Sequence, residues 1–208
     1  MSEHSLRAEN LHLWRGERHV LRGLSLAVRE GEFLQLTGLN GAGKTSLLRA
    51  LCGLLHLEEG RIFWHGADVR EDLPAFHQAL IYVGHDPPLK ADLTAHENLH
   101  FWVGVRRRLN AKQISAALKA TGAEALSERP VRTLSAGQKR RVALAGLLLT
   151  SASIWLLDEP TTNLDSEGMK LVARLIDEHV KAGGIAIAAV HHELPVSAER
   201  LRRLELAA

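Results

Sequence analysis

The stretch Gly38-Leu39-Asn40-Gly41-Ala42-Gly43-Lys44-Thr45 constrains this chain more than any other feature. It fits the spacing G-x-x-x-x-G-K-[ST], and its flanks fit too. Before it, Phe33 to Thr37 is apolar enough for a buried strand; after it, Leu47, Leu48, Leu51, Leu54 and Leu55 recur at helical spacing. Strand, glycine turn and helix in that order build a cradle for phosphate. Glycines let the chain turn so that successive N–H groups point inward, and the helix start adds favourable partial charge. Lys44 offers a point charge to β- and γ-phosphates, the Thr45 hydroxyl can sit on Mg²⁺, and Ser46 completes the candidate loop. A plain glycine-rich turn is the alternative, and the matching flanks argue against it.

A second segment, Ile154-Trp155-Leu156-Leu157-Asp158-Glu159, complements the cradle. Asp158 ends an apolar strand, where its carboxylate can hold Mg²⁺ directly or through water. Glu159 points elsewhere and is placed to orient or deprotonate a water that attacks a γ-phosphate. Two helix-capping acids before Pro160 are the alternative reading.

The remaining pattern organises the fold. Leu24 to Val28 is strand-like, Arg29 to Glu32 turns, and Arg61 to Trp64 is a strand entering a turn at His65-Gly66. From Leu93 to Leu149 the pattern is helical. Thr94 and Glu97 have capping-box spacing, Ala111 to Ala120 is a helix ended at Gly122, and Ser135 with Gln138 opens a helix through Leu148. Ile154 to Leu157 then reads as a strand, Ser166 to Lys181 as a helix stopped by Gly183-Gly184, and Ile185 to Val190 as a strand. Alternating elements at both ends with helices between them predict a mostly parallel α/β core carrying a helical insertion.

Composition narrows the classes. With 46% hydrophobic residues in 208, the chain can bury a sizeable core, which excludes disorder for most of it. Twenty-six basic against 24 acidic residues do not suggest a nucleic-acid coat. The single cysteine, Cys52, excludes an intrachain disulfide and a cysteine-rich metal site. Met1 to Asn10 carries Glu3, Arg7 and Glu9 and no signal-peptide core. The weakly polar run Val142 to Leu157 is short of the roughly 20 residues a spanning helix needs. It reads instead as a buried helix end, a loop and a buried strand. Arg106 to Arg108 and Lys139 to Arg141 read as solvated helix faces rather than lipid or nucleic-acid patches.

Between the cradle and the acidic pair lies Thr133-Leu134-Ser135-Ala136-Gly137-Gln138-Lys139-Arg140-Arg141, a second serine- and glycine-bearing helix start. On these motifs and their order the chain resembles the nucleotide-binding subunit of ATP-binding-cassette (ABC) transporters. The stretch from Leu134 to Gln138 is similar to that family's LSGGQ signature, with Ala136 in place of the first glycine. The resemblance implies a P-loop NTPase (RecA-like) α/β core with an antiparallel β subdomain and an inserted helical subdomain. Residues 1–86 and 150–208 would form the core and 87–149 the helical part of a single ATPase domain. It implies ATP and Mg²⁺ as ligands and a head-to-tail homodimer, in which Ser135, Gly137 and Gln138 of one copy close over the γ-phosphate held by the other. Asn163-Leu164-Asp165 is similar to the loop that touches the partner's site. His191 resembles the switch histidine, with His192 an adjacent competitor. Trp14, 24 residues before Gly38, is the candidate to stack on adenine, a core role being the alternative. His85 stands where the family usually has a Mg²⁺-ligating glutamine. An imidazole is a less usual partner for that ion, and neighbouring Asp86 is the substitute.

Within the family, the ATPase subunit of the cytochrome c maturation haem exporter is similar in several stretches. They are Gly84-His85, Leu93 to Leu99, Leu134 to Ala145 and the Arg202-Arg203 segment; Thr161 to Asn163 departs from that branch. This implies a peripheral position on the cytoplasmic face of the inner membrane and integral membrane subunits as partners. Haem would be met only through those partners, since the 12 histidines are scattered. The competing readings are another small ABC exporter, a soluble ABC ATPase acting on nucleic acid or ribosomes, and a small-molecule kinase. The 91 residues from Lys44 to Ser135 leave no room for the coiled-coil insertion of the soluble class, and the signature argues against a kinase.

Overall fold

A computed structural model describes residues 5–105 and 107–206. Met1 to His4 of the leader reading and Arg106 of the basic run lie outside the described residues. The chain runs β1 (Leu6–Arg15), β2 (Arg18–Val28), β3 (Phe33–Thr37), α1 (Lys44–Leu51), β4 (Glu59–Trp64), β5 (Ala67–Asp68), α2 (Leu73–Ala79), β6 (Leu80–Val83), α3 (Ala95–Gly104), α4 (Ala111–Ala120), α5 (Ala136–Leu149), β7 (Ile154–Asp158), α6 (Ser166–Lys181), β8 (Ile185–Ala189) and β9 (Leu201–Glu205).

Two sheets result. One is antiparallel, in the order β2-β1-β4-β5; the other is parallel, in the order β6-β7-β8-β3-β9. The inner strands β7, β8 and β3 are almost wholly apolar because both faces of the sheet are covered there, whereas the edge strand β9 carries Arg202, Arg203 and Glu205. Successive side chains alternate between two cores. Leu34, Leu36, Ile154, Leu156, Ile185 and Ile187 face α1 and the antiparallel sheet. Phe33, Trp155, Leu157, Ala186 and Ala188 face α5 and α6. A third core lies among α3, α4 and α5, around Leu99, Ile114, Leu118 and Val142. Helix α5 belongs to two of these cores, through Leu144 and Leu147 on one side and Val142, Ala145 and Leu149 on the other. Its second half, from Val142 on, is therefore apolar all round and ties the helical segment to the sheet.

Several expected boundaries shift. Leu54 and Leu55 lie outside α1, which stops at Leu51. The Leu54 amide bonds the Arg49 carbonyl (2.8 Å) and the Gly53 amide bonds that of Ala50 (3.0 Å), the pattern that closes a helix. Leu54 is left 62% exposed, so periodicity overran the stop. The Arg202-Arg203 segment is β9, paired in parallel with β3 from Phe33↔Leu201 to Thr37↔Glu205. Both expected capping boxes form, at Thr94 with Glu97 and at Ser135 with Gln138. Among the described residues no helix is long and apolar enough to cross a membrane.

Candidate functional site: a phosphate cleft at one sheet edge

Parallel strands send their carboxyl ends to the same edge, so the loops after them meet there. Register places Leu36 and Asp158 both opposite Ala189, and Val83 opposite Leu157. The loops leaving β3, β6, β7 and β8 therefore carry Gly38 to Gly43, His85, Glu159 and His191 to one place. The edge opens on a cleft of about 620 Å³, lined among others by Asn40, Lys44, Thr45, Ser46, Glu159 and His191.

The loop after β3 is shaped by its glycines. Gly38, Gly41 and Gly43 all have positive φ, and a Cβ on Gly43 would come within 2.8 Å of Val20 Cγ1. Gly43 is also the N-cap of α1 and supplies no side-chain cap, so amides of the first turn are left for a ligand. Lys44 is buried, and its Nζ donates to the carbonyls of Gly38 (2.7 Å) and Leu39 (3.1 Å). Leu39 is 74% exposed, whereas Ala42 is buried in the core. Behind the loop, the Thr45 hydroxyl donates to Asp158 Oδ1 (2.9 Å) and the Tyr82 hydroxyl to Oδ2 (3.2 Å). Asp158 is 1% exposed, so these bonds satisfy a carboxylate the strand has carried out of water.

Glu159 adopts a left-handed backbone, φ +51°, and its amide donates to the Ala189 carbonyl at 2.9 Å. Such a conformation costs about 1–3 kcal/mol in a non-glycine residue and persists only where surroundings hold it. Its carboxylate is held at both oxygens. His191 Nε2 meets Oε1 at 2.8 Å; His85 Nδ1 at 3.2 Å and the Thr162 hydroxyl at 3.0 Å meet Oε2. Burial pushes this carboxyl up, but the bonds from His191 and Thr162 and the charges of His191 and His85 together bring it below the ordinary glutamate value. Glu159 is thus ionised at neutral pH, as a base must be. Of the two competing histidines, it is His191 that reaches Glu159.

Other expected residues fall differently. His85 sits on Glu159, not beside the Thr45–Asp158 pair, and Asp86 is exposed. The Nδ1 of His85 is committed to the Glu159 carboxylate, so the ring is turned to that acid rather than to the Thr45–Asp158 oxygens expected to hold Mg²⁺. Trp14 is 47% exposed, which removes its core alternative; its ring stacks on His19 at 4.2 Å and 6°. Ser135, Gly137 and Gln138 open α5 but do not line the cleft. A Cβ on Gly137 would lie 2.6 Å from the Asn163 carbonyl, so this glycine lets α5 start against the loop before α6. Asp165 caps α6 through the Gly168 amide (2.8 Å) and takes Arg141 at 3.4 Å. His179 is half-buried: it stacks on Trp155 at 4.0 Å and donates to the Ser153 and Ile185 carbonyls. Burial lowers its pKa, which keeps it neutral and engaged.

Arg15, Arg18 and Tyr82 were missed by sequence reasoning. Arg15 and Arg18 pair across the β1–β2 turn and line the cleft, and Arg18 donates to the Gly41 carbonyl at 2.8 Å. Two arginines bracketing Gly16-Glu17 were a readable signal for a hairpin with cations at its tip. Tyr82 carried none, since its partner lies 76 residues away.

Comparison with known proteins agrees with this arrangement. The sequence profile of the ABC transporter family matches residues 21–162. The chain is 44% identical over 201 residues to the cytochrome c biogenesis ATP-binding export protein CcmA of Salmonella typhi, covering 97% of this chain and 96% of that one. It is 45% identical over 205 residues to the CcmA of Nitrosococcus oceani, covering 98% and 92%. The fold is shared with an ABC transporter ATP-binding protein of Pyrococcus furiosus at a TM-score of 0.84 and 24% identity, over 97% of this chain and 96% of that one. CbiO1 of Clostridium perfringens, part of an ABC transporter complex, gives 0.76 at 31% identity over 92% and 80%. The profile spans the glycine loop, the Ser135 helix start and Asp158, and with the relatives above it leaves one placement: the chain belongs to the ABC transporter family, as one of its ATP-binding, ATP-hydrolysing subunits.

Proposed function

We propose that this ATPase drives haem export or haem-chaperone release in cytochrome c biogenesis, with Glu159 as the base that activates the attacking water. One observation carries the chemistry: Glu159, fixed at 2.8 Å by His191, lines the same cleft as Lys44 and Thr45. The loop amides and Lys44 hold the phosphates, and Ser46 extends the α1 start. Glu159 accepts the proton of the water, and His191 orients the carboxylate toward the γ-phosphate. The Thr45 hydroxyl and Asp158, both hard oxygen donors brought to 2.9 Å, suit Mg²⁺. When bound, that ion would neutralise charge on the β- and γ-phosphates.

Two copies assemble head to tail in this reading. Ser135, Gly137 and Gln138 are exposed or half-buried and lie away from their own chain's cleft, which supports a role in a partner's. Trp14 meets the base and Asp165 meets the second copy. Residues 1–86 and 150–208 act as the nucleotide-binding core and 87–149 as the helical subdomain, supported by the separate core of α3, α4 and α5. The names of the CcmA relatives support the cytochrome c branch and a role in export; integral membrane subunits as partners and a peripheral place on the cytoplasmic face of the membrane belong to the same reading. Haem is met only through those partners, and nucleic acid is not bound.

Replacing Glu159→Gln tests the centre of this reading. Turnover should fall by about 100-fold or more, as for loss of a general base, while ATP binding persists. With ATP the variant should migrate as a dimer. Turnover at the original rate would remove Glu159 from the chemistry.

A further inference from the structure

Arg140, expected from the sequence on a solvated helix face, is instead the largest fully buried side chain among the described residues, 1% exposed, and its hydrogen bonds there go to no carboxylate. Its guanidinium donates to two consecutive backbone carbonyls, Gly84 at 3.0 Å and His85 next to it. Its Nε is buried with no hydrogen-bond partner. The charges of Asp158, Asp86 and Glu159 offset part of the cost of burying this cation, but its hydrogen bonds go to carbonyls, and an apolar side chain would fill the same space at less cost. The planar fork of an arginine does what such a filler could not, because it grips two neighbouring carbonyls at once and fixes the direction of the chain between them.

That chain segment is the loop leaving β6, and it presents His85. The imidazole is half exposed, and Glu159 is its polar partner at 3.2 Å. With the side chain 53% exposed, the aim of the ring depends on where the backbone of His85 is held. Arg140 sits five residues after Ser135 on α5, a helix anchored in two cores. A displacement at the Ser135 end therefore reaches the His85 carbonyl through one rigid element and one side chain.

We propose that Arg140 is a positioning residue for ATP hydrolysis: from the signature helix it holds the His85 carbonyl, and through it the imidazole that sets Glu159 Oε2. This rests on the reading of Glu159 as the base. It adds a path by which the helix start that closes on a partner's nucleotide reports to its own chain's base.

A double-mutant cycle on the full-length chain tests it, with Arg140→Lys, His85→Ala and the two combined, and with Glu159→Gln measured alongside. Each single replacement should lower kcat by about tenfold to a hundredfold, the scale of a misplaced catalytic group, with KM and ATP Kd unchanged; Arg140→Lys should also lower the melting temperature, because a buried carbonyl loses its donor. The combined variant should be no slower than His85→Ala alone, because both remove one path. Multiplying effects would overturn the proposal, as would a change confined to KM or melting temperature. Should Arg140→Lys fail to fold, His85→Ala decides: an unchanged kcat overturns the path at its last step. Full turnover in Glu159→Gln would instead strike the base assignment, whatever the cycle gives.

Discussion

Two helices here begin on glycine-bearing turns and treat their first amides in opposite ways. Helix α1 starts at Gly43 with no side-chain cap, beside Lys44 and open to the cleft. Helix α5 starts at Ser135, whose hydroxyl takes the Gln138 amide at 3.2 Å while the Gln138 side chain takes the Ser135 amide at 2.9 Å. A helix start attracts anions because its first amides lack partners and carry partial positive charge. At α1 that capacity is free within one chain. At α5 it is partly spent on the chain itself, and the end sits away from its own cleft. In the proposed reading, the same local motif gives a binding site in one place and, in the other, a surface for closing a site on a second copy.

The contrast breaks most readily at Lys44. Lys44→Ala should weaken ATP binding by about 10- to 100-fold, since a charge-assisted hydrogen bond is worth about 1.5–3 kcal/mol. Calorimetry showing an unchanged Kd would mean that α1 is not the end that holds nucleotide. Gly137→Ala comes next. Its Cβ would meet the Asn163 carbonyl at 2.6 Å, so α5 or that loop must shift. Urea unfolding should reveal a loss of about 1–3 kcal/mol, with slower turnover and nearly unchanged ATP affinity. A variant as stable and active as the original would show that the close approach is dispensable. The smallest effect belongs to Ser135→Ala, which removes a cap worth about 1 kcal/mol and should leave ATP affinity of the single chain untouched. If that affinity dropped as far as for Lys44→Ala, the two helix starts would be doing the same work.

The α1 cradle and the α5 cap were both legible because their signals are local. A capping box is a relation across three residues, and Thr94 with Glu97 and Ser135 with Gln138 formed as spaced. β3, α4 and α6 occupy the spans their patterns indicated, Phe33–Thr37, Ala111–Ala120 and Ser166–Lys181. Where periodicity continued past a stop, as from Leu51 to Leu55, the pattern overreached, because apolar spacing does not register the hydrogen bonds that close a helix. Helix α2 went unread although Asp72 caps it through the Ala75 amide, since seven residues give too few turns for a period.

The order of residues determined the phosphate-binding turn, the capped signature helix and the apolar strands that carry Asp158 and Glu159. All are encoded within a helical turn or a single strand, where propensity and pattern act. Tertiary structure alone decided which groups meet. Thr45 reaches Asp158 across 113 residues, Arg140 reaches Gly84 across 56, and His85 turns to Glu159 instead of the oxygen pair behind the loop. Those pairings follow from parallel strands ending at one edge and from the burial of α5 between two cores, and no local stretch of sequence carries that geometry.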